Sequence, residues 1–429
     1  MSASLAQDRA SAVSFQYLRI FEAIGDCQSV RRASERCCLS QPAVTQALAK
    51  LEQIVGADLV VRRANGSYLN EFGELLHARV KRLFVQIEAG VIDLGVKSAP
   101  ELARPVVNRL TRTQVRALVA VIEHGSFERA SEALGISGAS LQRAARDLEK
   151  NLNAPLFNRN AHGVLVSQIG RRFGARIRLA LREIEWGFDE VSVAQGGASR
   201  QMVIGAMPFG GSMLMASCLD DFLRLHPRAD IRIMNDSAAA ILKSLSSGDV
   251  DFVIGLLPRS DISDLVHEAL AQTPYSIVAQ RGHPLAGKGR VTLDDLLAFD
   301  WIVGNPGSCR RACFDSLFAG RTRAAAPIAT CSITMIRHLL SRSDRLTLMT
   351  SYELDHQRDD LCAIPFGPIL PVPSIGITRR ANWLPTRMHT DFLDIVRAHV
   401  TNATTERSRS APEIAVRRKR LAVVGAAAG

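Results

Sequence analysis

Ser29-Val30-Arg31-Arg32-Ala33-Ser34-Glu35-Arg36-Cys37-Cys38-Leu39-Ser40-Gln41-Pro42-Ala43-Val44-Thr45-Gln46 is the stretch that decides the fold of the first half of the chain. Two serines punctuate it. Ser29 can accept an orphan backbone N–H at the head of a short helix, Val30 to Cys37, and Ser40 can do the same for the helix that follows. Leu39-Ser40 is a tight break between them. Pro42 falls in the first turn of the later helix, where a missing N–H does no harm. Val44, Leu48, Leu51 and Val55 give that helix a buried stripe, while Gln41, Thr45, Gln46 and Lys50 stay on its polar face. Upstream, Leu18, Phe21 and Ile24 mark an opening helix; downstream, Val60 to Leu69 reads as a β-hairpin turning at Asn65-Gly66.

Three helices followed by a hairpin make a winged helix-turn-helix, whose third helix has a polar face free to enter a major groove. After Asn70 a long amphipathic helix carries Leu76, Val80, Leu83, Ile87, Val91 and Leu94 at spacings of three and four, close to a coiled-coil seam.

The whole arrangement then repeats. Residues 17–94 align without a gap on 114–191 at a constant offset of 97. Ser29 to Glu35 matches Ser126-Phe127-Glu128-Arg129-Ala130-Ser131-Glu132; Leu51-Glu52 matches Leu148-Glu149, Arg62 matches Arg159, Gly66 matches Gly163 and Gly73 matches Gly170. The long helix recurs as Phe173, Ile177, Ala180, Ile184, Phe188 and Val191. We expect Leu76/Val80/Leu83/Ile87 to pack against Phe173/Ile177/Ala180/Ile184 in an antiparallel intramolecular pseudo-dimer. Pro100 and Pro105 make the intervening segment, Val96 to Arg109, read as an extended connector rather than a continuing helix.

Ala33-Ser34-Glu35, Leu39-Ser40-Gln41-Pro42-Ala43-Val44-Thr45-Gln46 and Leu51-Glu52 resemble the helix-turn-helix signature of the LysR-type transcriptional regulators, and the resemblance extends from Phe15 to Gly95 through the linker helix. It implies that Gln41, Pro42, Thr45 and Gln46 face the bases. Gln can make a bidentate contact to adenine, and the Thr methyl can meet thymine. Arg62 and Arg63 at the wing would hold phosphate, with Ser40 and Lys50 alongside. The second copy resembles the family in Ala130-Ser131-Glu132-Ala133-Leu134-Gly135-Ile136-Ser137 and Leu156-Phe157-Asn158-Arg159, but Gly138-Ala139 stands in place of Gln-Pro. Its candidates for DNA contact are Gln142, Arg143, Arg146 and Arg159. Both wings lack an arginine that often enters the minor groove, having Asn65 and His162 there. Two roles stay open for this copy: DNA reading with a different specificity, or a mainly structural one.

From Arg200 onward short apolar strands alternate with helices: Met202 to Ala206, Ile231 to Met234, and Val250 to Gly255. Leu245 to Ile254 and His283-Pro284-Leu285-Ala286 resemble the effector domain of the same family, to about His399. That implies two α/β subdomains of the periplasmic-binding-protein type, with crossings expected near Leu297–Trp301 and Pro371–Ser374. By family position, the segments holding Met207, Phe209, Gly210 and Ser212, then Ser308, then Ser332 and Thr334, would present helix N-termini to an anionic or sugar-like ligand. Taken singly, each hydroxyl reads first as a simple N-cap, and only their convergence in the family's cleft raises the ligand-binding reading.

The fold class is therefore multidomain. Two tandem winged helix-turn-helix domains with linker helices (13–97 and 110–196, joined by a connector at 98–109) precede a periplasmic-binding-protein-like effector domain (200–400). A basic tail expected to be disordered follows at 401–429, with Arg417-Arg418-Lys419-Arg420.

Composition fits this assignment. The formal charge is +11, with 26 Lys+Arg against 20 Asp+Glu in residues 1–199, 21 against 20 in 200–400 and 6 against 2 in 401–429, so the excess sits at the two ends, in the helix-turn-helix half and the tail. No apolar run approaches the roughly 20 residues of a membrane span, and Met1 to Ser14 lacks a signal-peptide core, so a cytoplasmic location is expected. The eight scattered cysteines show no metal-ligand spacing. No nucleophile elbow, paired carboxylates or phosphate loop emerges, and Phe209-Gly210-Gly211-Ser212 lacks the lysine and glycine spacing of one, so neither an enzyme nor a bound cofactor is expected. The expected partners are double-stranded DNA, an unidentified small-molecule effector (carboxylate or sugar-like), further copies of the chain, and RNA polymerase; no membrane partner is expected. The alternative is a redox-sensing regulator using Cys309 and Cys313, beside Arg310 and Arg311, in a region where peroxide-sensing members hold reactive cysteines.

Overall fold

A computed structural model describes residues 10, 12–64, 66–95, 99–160, 163–197, 201–207, 212–258, 262–320, 324–355 and 360–402. It divides into two units, Met1–Gln201 and Met202–Gly429.

In the first unit, Ser14, Ser29, Ser40 and Asn70 each cap a helix by accepting a backbone N–H: α1 (Phe15–Cys27), α2 (Val30–Cys37), α3 (Gln41–Val55) and α4 (Glu71–Asp93). The antiparallel hairpin β1 (Val60–Arg63)/β2 (Gly66–Leu69) lies between α3 and α4. The second copy repeats every cap 97 residues on. Thr111, Ser126, Ser137 and Ser167 start α6 (Arg112–His124), α7 (Phe127–Leu134), α8 (Gly138–Leu152) and α9 (Gln168–Ala194), with hairpin β3 (Phe157–Asn160)/β4 (Gly163–Val166) before the last.

Two shared residue pairs now have a physical reason. Glu52 Oε1 accepts the Leu59 N–H (2.8 Å) ahead of the first hairpin, and Glu149 Oε1 accepts those of Leu156 and Phe157 (2.7 and 2.9 Å) ahead of the second. Gly73 and Gly170 let α4 and α9 lie against the backbone entering each hairpin: a Cβ would stand 2.1 Å from the Leu59 oxygen and 2.3 Å from the Leu156 oxygen. One hydrophobic core runs through both copies, from Ala10 to Val191.

The linker helix α4 stops at Asp93, as the prolines led us to expect, but the connector is not extended. Residues Pro100–Arg109 form a helix, α5, rather than an extended return. Pro100 occupies the first turn, where its missing N–H is no loss, and although Pro105 lies inside the helix, the neighbouring Ala103, Val106 and Val107 are buried. Arg19 Nη2 ties down its C-terminal end by donating to the carbonyls of Val107 (2.6 Å) and Leu110 (2.9 Å).

In the second unit, strands β5 (Met202–Ala206) and β7 (Phe252–Leu256) are almost wholly apolar and buried, as the inner strands of a helix-covered sheet must be. They join β6 (Ile231–Asn235), β8 (Leu265–Gln272) and β14 (Ser374–Arg380) in the order β6-β5-β7-β14-β8. A second five-stranded sheet has the order β11-β10-β12-β9-β13, from β9 (Tyr275–Gln280), β10 (Trp301–Val303), β11 (Ile328–Ala329), β12 (Leu346–Thr350) and β13 (Leu361–Ala363). Helices α10 (Ser212–Leu225), α11 (Ala238–Ser247), α12 (Leu293–Leu297), α13 (Cys309–Leu317), α14 (Ile333–Leu340), α15 (Ser351–Asp355) and α16 (387–402) complete the unit.

The return crossing falls between β13 and β14, near Pro371–Ser374 as expected. The outward one does not lie at Leu297–Trp301: it is at Thr273-Pro274, between β8 and β9. The two crossing segments meet where the Thr273 N–H donates to the Pro373 carbonyl (2.9 Å). The missed clue is Pro274, which separates two consecutive strands that belong to different sheets.

Candidate nucleic-acid interface and ligand-facing helix ends

Helix α3 is held by Val44, Ala47, Leu48, Leu51 and Val55, all buried. Its other face leaves Ser40, Gln41, Pro42, Gln46 and Lys50 exposed and Thr45 half-buried. The Lys50 ammonium donates to Gln53 Oε1 (2.9 Å) and the Ser40 hydroxyl is engaged in capping. At the wing Arg62 and Arg63 are exposed, and the Arg63 guanidinium lies 5.6 Å from the Tyr68 ring centroid, which restricts its swing. Asn65 and His162 lie outside the described residues.

Helix α8 buries Leu141, Ala144, Ala145, Leu148 and Leu152. Gln142, Arg143 and Arg146 emerge together on the exposed face, with Arg146 Nη2 donating to Gln142 Oε1 (3.3 Å). Arg159 sits in β3, paired with Val164.

Helices α4 and α9 pack antiparallel, as expected, with Leu76, Val80, Leu83, Ile87, Phe173, Ile177, Ala180 and Ile184 all buried. What periodicity could not reveal is charge inside this seam. Arg79 is fully buried: its Nε and Nη2 donate to the two oxygens of Glu190 (2.7 and 3.0 Å), and Nη1 donates to Glu183 (2.9 Å). The other oxygen of Glu183 takes Arg82 Nε (2.9 Å). Burial opposes the Arg79 charge, but the hydrogen bond to Glu190 and the field of both carboxylates overcome it and raise its pKa.

In the second unit, Ser308 and Ser332 are N-caps of α13 and α14, accepting the N–H groups of Arg311 (3.2 Å) and Met335 (3.4 Å); Ser308 also donates to the Asn305 carbonyl (2.8 Å). Thr334 is exposed in the first turn of α14, and Met207 is buried at the end of β5. Ser212 begins α10, while Phe209 and Gly210 lie outside the described residues. Sequence reasoning missed Arg310, one residue inside α13. It is buried and paired with Glu353, itself fully buried and accepting the Thr350 N–H (2.7 Å). Nε and Nη1 of Arg310 have no acceptor among the described residues. Burial raises the Glu353 carboxyl pKa against the pull of Arg310, and burial beside Glu353 raises that of the Tyr275 phenol. None of the eight cysteines is disulfide-bonded, and Cys313 is buried. Among the described residues there is no group of His, Cys, Asp and Glu that could hold a metal ion, and no helix is long and apolar enough to cross a membrane.

Comparison with known proteins matches this architecture. The model of the LysR substrate binding domain covers residues 195–401. That of the bacterial regulatory helix-turn-helix protein, lysR family, matches twice, at 15–74 and 113–171. The chain is 29% identical over 390 residues to the HTH-type transcriptional regulator GalR of Pseudomonas putida, covering 90% of this chain and 96% of that protein. It is 26% identical over 291 residues to a hydrogen peroxide-inducible genes activator of Dickeya chrysanthemi, covering 66% and 93%. Among solved structures, a full-length OxyR variant from Pseudomonas aeruginosa superposes with a TM-score of 0.49 at 19% identity, covering 67% of this chain and 93% of that one. The named relatives are transcription regulators, and this chain is no enzyme. One family's helix-turn-helix model and its effector-domain model together account for most of the sequence, and the chain belongs to the LysR family of bacterial transcriptional regulators.

Proposed function

We propose that this regulator acts in the cytoplasm, reads DNA through two winged helix-turn-helix units carried in one chain, and is switched by a small carboxylate or sugar-like effector in its second unit. The observation that carries the DNA assignment is the face of α3. A capped, well-buried helix within a helix-turn-helix match holds Gln41, Gln46 and Lys50 in solvent, where side chains can reach base edges. Duplication is supported by the second match at 113–171, and by an alignment to the Pseudomonas putida relative too long to omit either segment. A carboxylate effector is favoured by the N-terminus of α13, where Ser308 caps the helix and two nitrogens of Arg310, Nε and Nη1, have no acceptor among the described residues. Further copies of the chain and RNA polymerase are the proposed protein partners.

The test compares specific and random duplexes. Gln41→Ala or Gln46→Ala should cost about 1–3 kcal/mol on the specific site alone, whereas Arg62→Ala should weaken all DNA alike. Equal losses on both duplexes for Gln41→Ala would remove α3 as the reader. For the effector, candidate carboxylates and sugars are screened for a rise in the melting temperature of the full chain. A rise unchanged by Ser332→Ala and Thr334→Ala would remove those residues from the site.

The similarity to hydrogen peroxide-inducible activators favours a second reading, redox sensing through Cys309 and Cys313. The geometry opposes an intrahelical disulfide. Residues four apart on one helix hold their Cβ atoms about 5–6 Å apart, beyond the roughly 3.5–4.5 Å that a disulfide spans.

A further inference from the structure

We propose that one chain presents two unlike reading heads to a single duplex, so that its operator consists of two different half-sites rather than a palindrome. The proposal rests on the DNA reading above and concerns what the paired heads recognise.

The seam is isologous within one chain. Gly90 lies against Phe173 and Gly187 against Leu76, and these contacts exchange under the offset of 97 that relates the copies. The ion pairs do the same: Arg79 pairs with Glu190, and Arg176 with Asp93 (3.1 Å). Reciprocal contacts of this kind are the signature of a two-fold interface, here formed by two segments of one polypeptide. Each long helix also packs on the opening helix of its own copy, α4 on α1 and α9 on α6, which fixes each reading head to the seam. The connector reinforces the arrangement through Arg19 and through Arg104, which pairs with Glu88 (3.0 Å).

The symmetry is broken at the centre, and the break selects this pairing. Glu183 corresponds to Gln86, and Arg82 to Leu179. Only when α4 meets α9 does Glu183 receive both Arg79 and Arg82. Two α4 helices from separate chains would set Gln86 beside the buried Arg79; two α9 helices would set Leu179 beside Glu183. Either loses a partner of a buried charge, a change that costs far more than a surface pair gains. The seam therefore joins a first-copy head to a second-copy head.

Those heads carry different chemistry. Along the reading face Gln41-Pro42 becomes Gly138-Ala139, Thr45 becomes Gln142, Gln46 becomes Arg143 and Ala49 becomes Arg146. An amide and a methyl suit adenine and thymine, while guanidinium groups suit the O6/N7 edge of guanine. The first half-site should be rich in A·T and the second should contain guanine.

The experiment is selection from a random duplex pool with the full chain, repeated with Gln41→Ala/Gln46→Ala and with Arg143→Ala/Arg146→Ala. All four side chains are exposed, and melting curves check that both variants fold. Two unlike halves are expected, with each double variant flattening only its own half and losing roughly 10- to 100-fold in preference there. A second bound chain would repeat the pair and leave its halves unlike. Two like halves, both flattened by the Gln41→Ala/Gln46→Ala variant, would overturn the inference and leave α3 as the reader. A single half-site indifferent to Arg143→Ala/Arg146→Ala would also overturn it. Enrichment of no sequence would overturn both the inference and the DNA reading beneath it.

Discussion

Replacing Arg79 with Met should destabilise the first unit by about 3–5 kcal/mol, the cost of removing one partner from a buried ion network. The side chain has 0% exposure and donates charged hydrogen bonds to both oxygens of Glu190 and to Glu183. Met matches the length of the stem, so the loss is of charge rather than packing. It strands Glu190, which is 16% exposed, while Glu183 keeps Arg82. A unit of this size shifts its melting point by roughly 2–4 °C per kcal/mol, which gives a fall of roughly 6–20 °C in the corresponding calorimetric transition of the full chain. Adding Glu190→Gln should recover at least about 1 kcal/mol, because the stranded charge is then gone. Because the seam lies within one chain, neither the wild-type midpoint nor the mutant shift should move across a hundredfold range of protein concentration. A seam formed between chains would gain stability by mass action as concentration rises. A midpoint that climbs with concentration, or a loss under about 1 kcal/mol for Arg79→Met, would refute the reasoning.

Three further outcomes are expected. Asp26 is held below the usual carboxylate range: burial opposes its charge, but hydrogen bonds from Lys81 and Arg36 prevail. A depressed carboxylate adds stability above its unfolded pKa and loses it as pH falls through the folded one, so Asp26→Asn should cost up to about 1 kcal/mol at neutral pH and progressively less as the pH is lowered in urea titrations; a cost that does not fall with pH would exclude the ion pairs as the cause. Gly170→Ala should lower stability by more than about 1 kcal/mol although Ala is the better helix former by about that amount, since its Cβ would meet the Leu156 carbonyl at 2.3 Å; a gain in a melting assay would mean that the hairpin yields freely. Cys309→Ser/Cys313→Ser should leave effector-dependent reporter expression unchanged, and loss of a peroxide response in that variant would promote the redox reading.

Local structure was legible wherever side chain and backbone speak together. Ser29 and Ser40 announce their helices because a cap is a one-residue signal, and the offset of 97 transfers each assignment to the second copy. The apolar seam was legible too, since spacings of three and four mark a helix stripe. Arg79, Glu183 and Glu190 were not, because a charged residue beside an apolar stripe looks like solvated surface until its partner from a distant segment is known. Prolines misled in opposite senses: Pro100 and Pro105 read as breakers in a segment that folds as α5, while Pro274 marks a change of sheet that strand periodicity does not register. Arg310 was passed over as a neighbour of the cysteines, although it forms a buried pair with Glu353. The expectations for Phe209, Gly210 and the basic tail from residue 403 lie outside the described residues.

The two copies also differ in a way that separates geometry from chemistry. At three helix ends both copies turn into the left-handed region: Gln28 and Gly125, Cys38 and Gly135, Gly56 and Asn153. A side chain there is strained by roughly 1–2 kcal/mol relative to glycine, yet each copy tolerates it somewhere, so the backbone path is imposed by the surrounding fold rather than by the residue at the turn. The supports of that path recur in both copies: the eight caps, Glu52 and Glu149, Gly73 and Gly170. The exposed face of the third helix does not. A copy reduced to scaffolding would need the supports and could carry any solvated residues on α8. Instead that face bears Gln142, Arg143 and Arg146, three side chains able to donate to base edges, beside two small residues, Gly138 and Ala139, that allow close approach to a groove. Preserved placement with altered chemistry is what the proposed second half-site requires.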